Sequence, residues 1–379
     1  MASSKKFRFS FIVVILIGVW FFLPHHLRMA FTYWFPGIED YKIFDNREVI
    51  ASDDPFEWPV SKTYNQFEFS QQQRDSLEHY STVAFLVIQN DSILYEEYWD
   101  DYGPDSYSNS FSASKSLVSF LIGAAIDDGY ISSVDQKAGD FLPYMKDGLN
   151  SELSIRNLLT MSSGSNWDES YSSPTSMTTK AYYGNDLISL AEDISIVEEP
   201  GKIHSYKSGD TQLLAQIITH STNRTLSDYA SEKLWKPLGA KNTALWSLDK
   251  KNGTEKAYCC FNSNARDFAL IGALINHHGF WRNQQIISQK YIDEAITPAS
   301  YLKTDDGEDL DFYGFQCWII NYEGFKIPYA RGILGQYIFS IPEKNAIIVR
   351  LGHKRSKVQI NHHPSDVYSY LEMGLELLQ

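Results

Sequence analysis

The segment SNSFSASKSLVSFLIGAAIDDGY, residues 108–130, places Ser112 three residues before Lys115 and ahead of a long apolar run. The apolar run has helical spacing and predicts a buried helix. Residues three apart on a helix lie on one face, with Cβ atoms about 5 to 6 Å apart, so the Lys115 side chain can reach the Ser112 hydroxyl. The pair is therefore either a nucleophile with its base or a helix cap beside a solvated lysine.

The Ser-x-x-Lys spacing occurs four times in the chain, beginning at Ser3, Ser112, Ser247 and Ser300. The copy at Ser3 lies in a charged leader, and the last two lie in polar, turn-rich surroundings. Only Ser112 stands at the start of a predicted buried helix. There the free backbone N–H groups would stabilise an oxyanion, and burial would lower the pKa of Lys115 enough to make it a base.

Further segments follow in a fixed order: LLTMSSGSNWDE at 158–169, EPGKIHSYKSGDTQLLAQII at 199–218, PLGAKNTALWSLD at 237–249, CCFNSNARDFALIGALINHHGFW at 259–281 and GILGQYIFSIP at 332–342. Together with the opening segment they resemble the serine β-lactamase and penicillin-recognising hydrolase superfamily. Within it, the nearest resemblance is to class C-like enzymes, family VIII-type carboxylesterases and 6-aminohexanoate-dimer hydrolases. The resemblance covers roughly residues 40 to 375 and implies that Ser112 is the nucleophile and Lys115 its base.

The superfamily also uses a tyrosine from a Tyr-x-Asn or Tyr-x-Ser motif to carry a proton to and from the leaving group. By pattern alone the candidates are Tyr107, Tyr171, Tyr183 and Tyr206. Tyr206 follows a Pro-Gly turn and precedes an amphipathic helix, so the resemblance gives it this role and makes Ser208 its polar support. A phenol with a pKa near 10 is a poor base until a cation lies close, and Lys115 and Lys207 are the expected partners.

The third element of the superfamily is a strand that carries Lys-Thr-Gly or a relaxed variant, and here Ala330 stands in place of the lysine. Successive strand side chains point to opposite faces, so Arg331 is not expected to replace that cation. True β-lactamase activity is therefore not expected. The resemblance still implies an oxyanion hole made by the backbone N–H groups of Ser112 and Ile333, with Gly332 beside it. A strand kink or close packing is the other explanation for Gly332.

Other residues near these motifs are compatible with more than one role. Asp168 and Glu169 could contact an amine-bearing substrate or could fix their own loop. The three cysteines, at positions 259, 260 and 317, fit neither a set of disulfides nor a zinc site and are predicted to be small core residues. The sequence contains no zinc-protease, phosphate-loop or dinucleotide motif, and the predicted chemistry requires no metal or organic cofactor.

The pattern of predicted elements gives an α+β fold with a β-lactamase/transpeptidase-like architecture. A hairpin over 82–98, three strands between about 315 and 352 and a final helix predict an antiparallel sheet built from both chain ends and flanked by helices. A mostly helical region, about 131–312, is inserted. The predicted divisions are a leader and membrane anchor (1–28), a connector (29–65) and the hydrolase domain (66–379).

The net charge and the position of the basic residues along the chain predict which partners the protein has. A net charge of -14 argues against nucleic acid as a partner. Basic residues at positions 5, 6 and 8 precede the 19 residues Phe9–Leu27, which carry no formal charge and would span about 28 Å as a helix. This pattern favours an uncleaved anchor in a bacterial inner membrane, with the domain in the periplasm or outside. A cleaved signal peptide and secretion is the second interpretation, and a buried soluble helix the third.

The sequence thus predicts a membrane-anchored serine hydrolase that cleaves a small or peptide-like ester or amide through an acyl-enzyme. One rival is a penicillin-binding or D-amino-acid peptidase that acts on cell-wall peptides. The other is a non-catalytic envelope protein that has kept the fold. The sequence leaves the acyl group, the leaving group and the oligomeric state open.

Overall fold

The computed structural model describes residues 20–378. Its strands are β1 Asn46–Val49, β2 Thr82–Gln89, β3 Ser92–Tyr98, β4 Ser108–Asn109, β5 Ile203–His204, β6 Ala244–Ser247, β7 Phe261–Ser263, β8 Phe280–Trp281, β9 Gln284–Gln285, β10 Lys303–Thr304, β11 Trp318–Tyr322, β12 Phe325–Gly332, β13 Gln336–Ile341, β14 Ala346–Gly352, β15 Gln359–Ile360 and β16 His363–Pro364. The α-helices are His25–Tyr33, Gln71–His79, Ser114–Asp127, Ile155–Leu159, Met177–Tyr183, Leu187–Glu192, Ser208–Thr222, Leu226–Ala230, Lys236–Leu238, Ala265–Asn276, Gln289–Ala295 and Asp366–Leu377.

The main sheet is antiparallel and has the strand order β11-β12-β13-β14-β2-β3. Strands β2 and β3 come from the first part of the chain and the other four from the last part, as the sequence predicted. The main sheet has four late strands where the pattern predicts three, because the pattern did not show β12 as a separate strand, although the resemblance placed its end, at Ala330 and Gly332, on a strand. Pro328 interrupts its apolar pattern, and proline within a run argues against a strand although it is paired here with Ile319.

Both faces of the main sheet are covered, so β2 is buried at all eight positions. Leu86 and Ile88 face the larger core, which contains the helices Ser114–Asp127 and Ala265–Asn276, while Phe85 and Val87 face a smaller core with the terminal helix Asp366–Leu377. This alternation follows from the two-residue period of a strand. It places the predicted nucleophile helix directly against the sheet.

Strands β6 and β7 of the inserted region form a second antiparallel sheet with β1 and β4, which precede that region in the chain, and the strand order is β1-β6-β7-β4. The segment 29–65, predicted to be a connector, contacts the rest of the chain. Strand β1 pairs with β6, and Trp58 is buried and donates a hydrogen bond from its Nε1 to the carbonyl of Arg266. These contacts make the segment part of the folded body, which the sequence alone did not indicate because its apolar residues are scattered.

The predicted membrane anchor begins in residues 1–19, which lie outside the described residues. Within residues 20–378, no helix has the length and apolar character needed to cross a bilayer. The helix His25–Tyr33 packs against the helix Met177–Tyr183.

The end of β12 meets the 3-10 turn Phe111–Ala113 at Gly332. A Cβ atom on Gly332 would lie 2.1 Å from the carbonyl oxygen of Ser110, a backbone atom that cannot move away as a flexible side chain could. The sequence alternative of close packing therefore accounts for this glycine. It allows the strand to approach the turn that carries Ser112.

Replacing Gly332 with alanine is expected to lower the free energy of unfolding by about 1–3 kcal/mol, because the new methyl group overlaps the Ser110 carbonyl. Denaturant unfolding of purified protein measures this change. Gly103→Ala is the matched control, since nothing lies within 4 Å of the position of its Cβ. Equal stability of the two variants would contradict the close approach.

Candidate active site

The predicted nucleophile lies in a short 3-10 turn, Phe111–Ala113, that leads into the helix Ser114–Asp127. The residue before it, Phe111, has a φ of 44°, a conformation uncommon for a non-glycine residue. The N–H of Phe111 donates to Oδ1 of Asn109 at 2.8 Å, which helps to hold this backbone. Such unusual backbone conformations cluster at functional sites. The turn leaves Ser112 partly exposed while the helix behind it is buried.

The ammonium group of Lys115 is almost completely buried, with 1% of the residue exposed. Its Nζ donates hydrogen bonds to Ser112 Oγ at 3.2 Å, to Ser208 Oγ at 3.1 Å and to the Tyr258 carbonyl at 2.7 Å. The three acceptors match the three protons of an ammonium group. The structure therefore brings Ser112, Lys115 and Ser208 together around one nitrogen atom.

Burial lowers the pKa of Lys115 to about 8, because it disfavours the charged form. The carboxylates of Glu169 and Asp210 oppose this change by favouring the ammonium form. The net effect brings the pKa of Lys115 close to physiological pH, where the side chain can both take up and release a proton.

Ser208 connects Lys115 to Glu169. It is the first residue of the helix Ser208–Thr222, which packs against the helix Ser114–Asp127. The Ser208 hydroxyl accepts from Lys115 Nζ and donates to Glu169 Oε1 at 2.7 Å, while the Ser208 backbone N–H donates to Glu169 Oε2 at 2.6 Å. The carboxylate of Glu169 thus caps the start of this helix and adds negative charge near the lysine.

The two acidic residues that the sequence left open have different surroundings. Glu169 also accepts hydrogen bonds from Trp167 Nε1 at 2.8 Å and from the Tyr171 hydroxyl at 2.5 Å. Asp168 is exposed and its Oδ1 accepts from the N–H of Ser170 at 3.0 Å. These contacts support the interpretation that the residues fix their loop and the base of the site.

Tyr206 lies beside the pair, with Lys115 Nζ 5.2 Å from the centre of its ring. Burial and the Glu169 carboxylate raise its pKa above the ordinary value. A hydrogen bond with the side chain of Ser112 and the positive charges of Arg331 and Arg355 act in the opposite direction. Its phenol is therefore protonated at neutral pH and close to the serine hydroxyl.

Of the two cations expected beside Tyr206 from the sequence, Lys115 lies near its ring, whereas Lys207 is engaged elsewhere. Lys207 Nζ donates to the carbonyl of Ser165, and its charge acts on Asp210 instead. The side chains of consecutive residues diverge at the start of the helix, so sequence adjacency did not give proximity. Ala330 is buried, whereas the guanidinium of Arg331 lies 3.1 Å from the centre of the Trp318 ring.

A cavity of about 370 Å³ opens beside Ser112 and Ile333. Both residues predicted to form the oxyanion hole therefore line the same space. Part of its lining comes from Trp34 and Phe35, which follow the helix His25–Tyr33 and lie in the segment that the sequence predicts to be a connector. Their aromatic character was the available signal, but nothing local linked them to Ser112.

Two other features were missed. Asp210 is fully buried, and burial raises its pKa to about 7 although Ser163 Oγ donates to its Oδ1 at 2.6 Å. Cys259 and Cys260 form a disulfide between adjacent residues, so the prediction that they are simple core residues was wrong; Cys317 is a buried free thiol, as predicted. Cys259 lines the cavity next to Tyr258, whose carbonyl binds Lys115.

Comparison with known proteins now assigns the fold and the family. The beta-lactamase family model matches residues 70–363, which is most of the chain. The chain belongs to the beta-lactamase family. It is 26% identical over 290 residues to the 6-aminohexanoate-dimer hydrolase of Paenarthrobacter ureafaciens, covering 73% of each protein.

Solved structures show the same fold. A Bacillus anthracis homologue of 6-aminohexanoate-dimer hydrolase has a TM-score of 0.79 at 20% identity, covering 93% of this chain and 96% of that one. A family VIII carboxylesterase has a TM-score of 0.63 at 14% identity, covering 85% and 99%. The resemblance inferred from the motifs and the predicted fold class are confirmed by these matches. Among residues 20–378, no group of three His, Cys, Asp or Glu side chains is placed to hold a metal.

Proposed function

We propose that this member of the family is a serine hydrolase that cleaves an ester or amide bond through an acyl-enzyme intermediate. One observation carries the proposal: the buried amine of Lys115, with a pKa lowered to about 8, lies 3.2 Å from the hydroxyl of Ser112. A serine hydroxyl is a weak nucleophile until an adjacent base takes its proton. The lowered pKa makes the neutral, basic form of Lys115 accessible.

The proposed reaction uses the groups around Ser112 in successive steps. Ser112 Oγ attacks the acyl carbon as Lys115 takes its proton, and the backbone N–H groups of Ser112 and Ile333 bind the oxyanion. Tyr206 donates its proton to the leaving group as the bond breaks, and Lys115 restores that proton. In the second half of the reaction Lys115 takes a proton from a water molecule, which attacks the acyl-enzyme. The acid is released, and Ser112 recovers its proton from Lys115.

Esters or amides are favoured over β-lactams as substrates. Ala330 stands where the resemblance would place the lysine that binds the β-lactam carboxylate, and its side chain is buried. The nearby Arg331 is engaged elsewhere, since its guanidinium stacks on Trp318 and donates to the His362 carbonyl at 3.0 Å. An ester or amide without a carboxylate beside the scissile bond places no demand on a cation at this position.

Replacing Ser112 with alanine is expected to reduce ester and amide hydrolysis by about a thousandfold or more, because no acyl-enzyme can form. A panel of p-nitrophenyl esters, anilides, β-lactams and D-alanyl peptides, together with a fluorophosphonate probe, measures this loss. Full activity in Ser112→Ala would refute the mechanism. Preferential cleavage of D-alanyl peptides would favour the peptidase, and no Ser112-dependent reaction would favour a non-catalytic binding protein.

The rate of Ser112 modification by the fluorophosphonate probe is expected to rise with pH and level off above about 8, because the base is the neutral form of Lys115. Glu169→Gln removes a negative charge that favours the ammonium form, so its inflection should move to lower pH. Asp147→Asn is the control, since Asp147 is exposed and makes no side-chain capping hydrogen bond. An inflection unchanged in Glu169→Gln would contradict the coupling.

The proposal includes a location at the bacterial inner membrane, with the domain in the periplasm or outside. The apolar run that follows basic residues 5, 6 and 8 supports this location, as do the exposed aromatics Phe21, Phe22 and Trp34 at the start of the described chain. The whole chain should stay with membranes after alkaline carbonate washing, whereas a chain that lacks residues 1–19 should be released. Release of both would exclude anchoring through this segment.

A further inference from the structure

The cavity beside Ser112 has an unusual lining for a site that would bind a charged substrate. Of the described residues that line it, none carries a formal charge, and eight are aromatic. The lining includes Phe111, which precedes Ser112 in the chain, Tyr182, and Trp34 and Phe35 from the N-terminal segment. The surface that a ligand would meet is therefore mainly aromatic carbon.

Three hydroxyls of the lining donate hydrogen bonds to the protein, whereas those of Tyr183 and Tyr258 are buried and uncharged and have no hydrogen-bond partner among the described residues. The Tyr182 hydroxyl donates to Asp40 Oδ2 at 2.7 Å, and the Tyr171 hydroxyl donates to Glu169 at 2.5 Å. Ser208 Oγ also donates to Glu169. A charged group in the cavity would lose its water without gaining an ion pair, which strongly disfavours its binding.

The position of Tyr206 indicates which half of the substrate would enter. Its ring packs against Tyr313 and Trp318, and it does not line the cavity. In the proposed reaction the leaving group receives its proton from Tyr206 and therefore lies on that side of Ser112. The acyl group then points away from Tyr206, into the aromatic cavity.

We infer that the cavity is an acyl-group subsite for an uncharged, apolar acyl chain and that Trp34 and Phe35 of the N-terminal segment form its outer wall. This inference rests on the proposed function, because it takes Ser112 as the acylated residue. Trp34 and Phe35 are 64% and 76% exposed without a ligand, so a bound acyl chain would cover apolar surface that now faces water. They are specificity residues, since neither touches the reacting atoms.

The test uses the full-length protein and p-nitrophenyl esters of acetic, butyric, hexanoic and octanoic acid, which share one leaving group. The value of kcat/KM should rise with chain length by at most about fourfold per methylene, the limit set by full burial. An ω-aminohexanoyl ester should react at least tenfold more slowly than the hexanoyl ester of the same length. A flat series, or equal rates for this last pair, would overturn the inference.

Two variants test whether the preference for longer acyl chains depends on Phe35 in the outer wall. Phe35→Ala should reduce kcat/KM for the octanoyl ester several-fold more than for the acetyl ester, while Tyr301→Ala should leave their ratio unchanged. Tyr301 is 60% exposed and does not line the cavity, so it is a matched aromatic control. An unchanged ratio in Phe35→Ala would remove that residue from the subsite. If the acetyl ester is hydrolysed in a Ser112-dependent way but kcat/KM does not change with acyl chain length, the subsite is rejected and the hydrolase function is kept. If no Ser112-dependent hydrolysis occurs, both proposals are rejected.

Discussion

The arrangement of the site depends on the burial of one ammonium group. An isolated charged lysine in an apolar interior is strongly disfavoured, and Lys115 is tolerated because three acceptors surround its nitrogen. These acceptors come from three distant segments: the turn at Ser112, the helix start at Ser208 and the carbonyl of Tyr258. The lysine can therefore be buried only when the two packed helices and the segment that leads into β7 have all reached their places. Its lowered pKa is a consequence of the same packing.

Glu169 influences both the pKa of Lys115 and the position of a residue that lines the cavity. Its carboxylate holds the hydroxyl and N–H of Ser208 on one side, and on the other it accepts from Trp167 and from Tyr171, which lines the cavity. A change at this position would therefore alter both the charge near Lys115 and the rim that a substrate meets. The loop from Trp167 to Tyr171 belongs to the site although none of its side chains contacts the lysine.

Local spacing explains what the sequence could predict. The pair Ser112 and Lys115 is encoded within one helical turn, and the order of motifs led to Tyr206. By contrast, the carbonyl of Tyr258 is a backbone atom that any residue would supply, so no side-chain pattern reveals it. The wall at Trp34 depends on packing across distant segments, and the strand containing Pro328 violates the usual strand pattern. Short-range periodicity therefore predicted many of the elements and the proximity of Ser112 and Lys115, whereas tertiary packing determined the pocket and the environment of the lysine.

The position of Arg331 shows how the site differs from one that binds a carboxylate. At Ala330 the strand side chain is buried and has no charge, while the next residue places its guanidinium over Trp318 on the side of Tyr206. Its positive charge acts against the rise in the pKa of Tyr206 that burial causes. Because the guanidinium is held by an aromatic ring and by the His362 carbonyl, it is positioned to tune the phenol rather than to follow a substrate anion. In this chain the cation of the strand therefore acts on Tyr206, whereas the described residues that line the cavity beside Ser112 carry no formal charge.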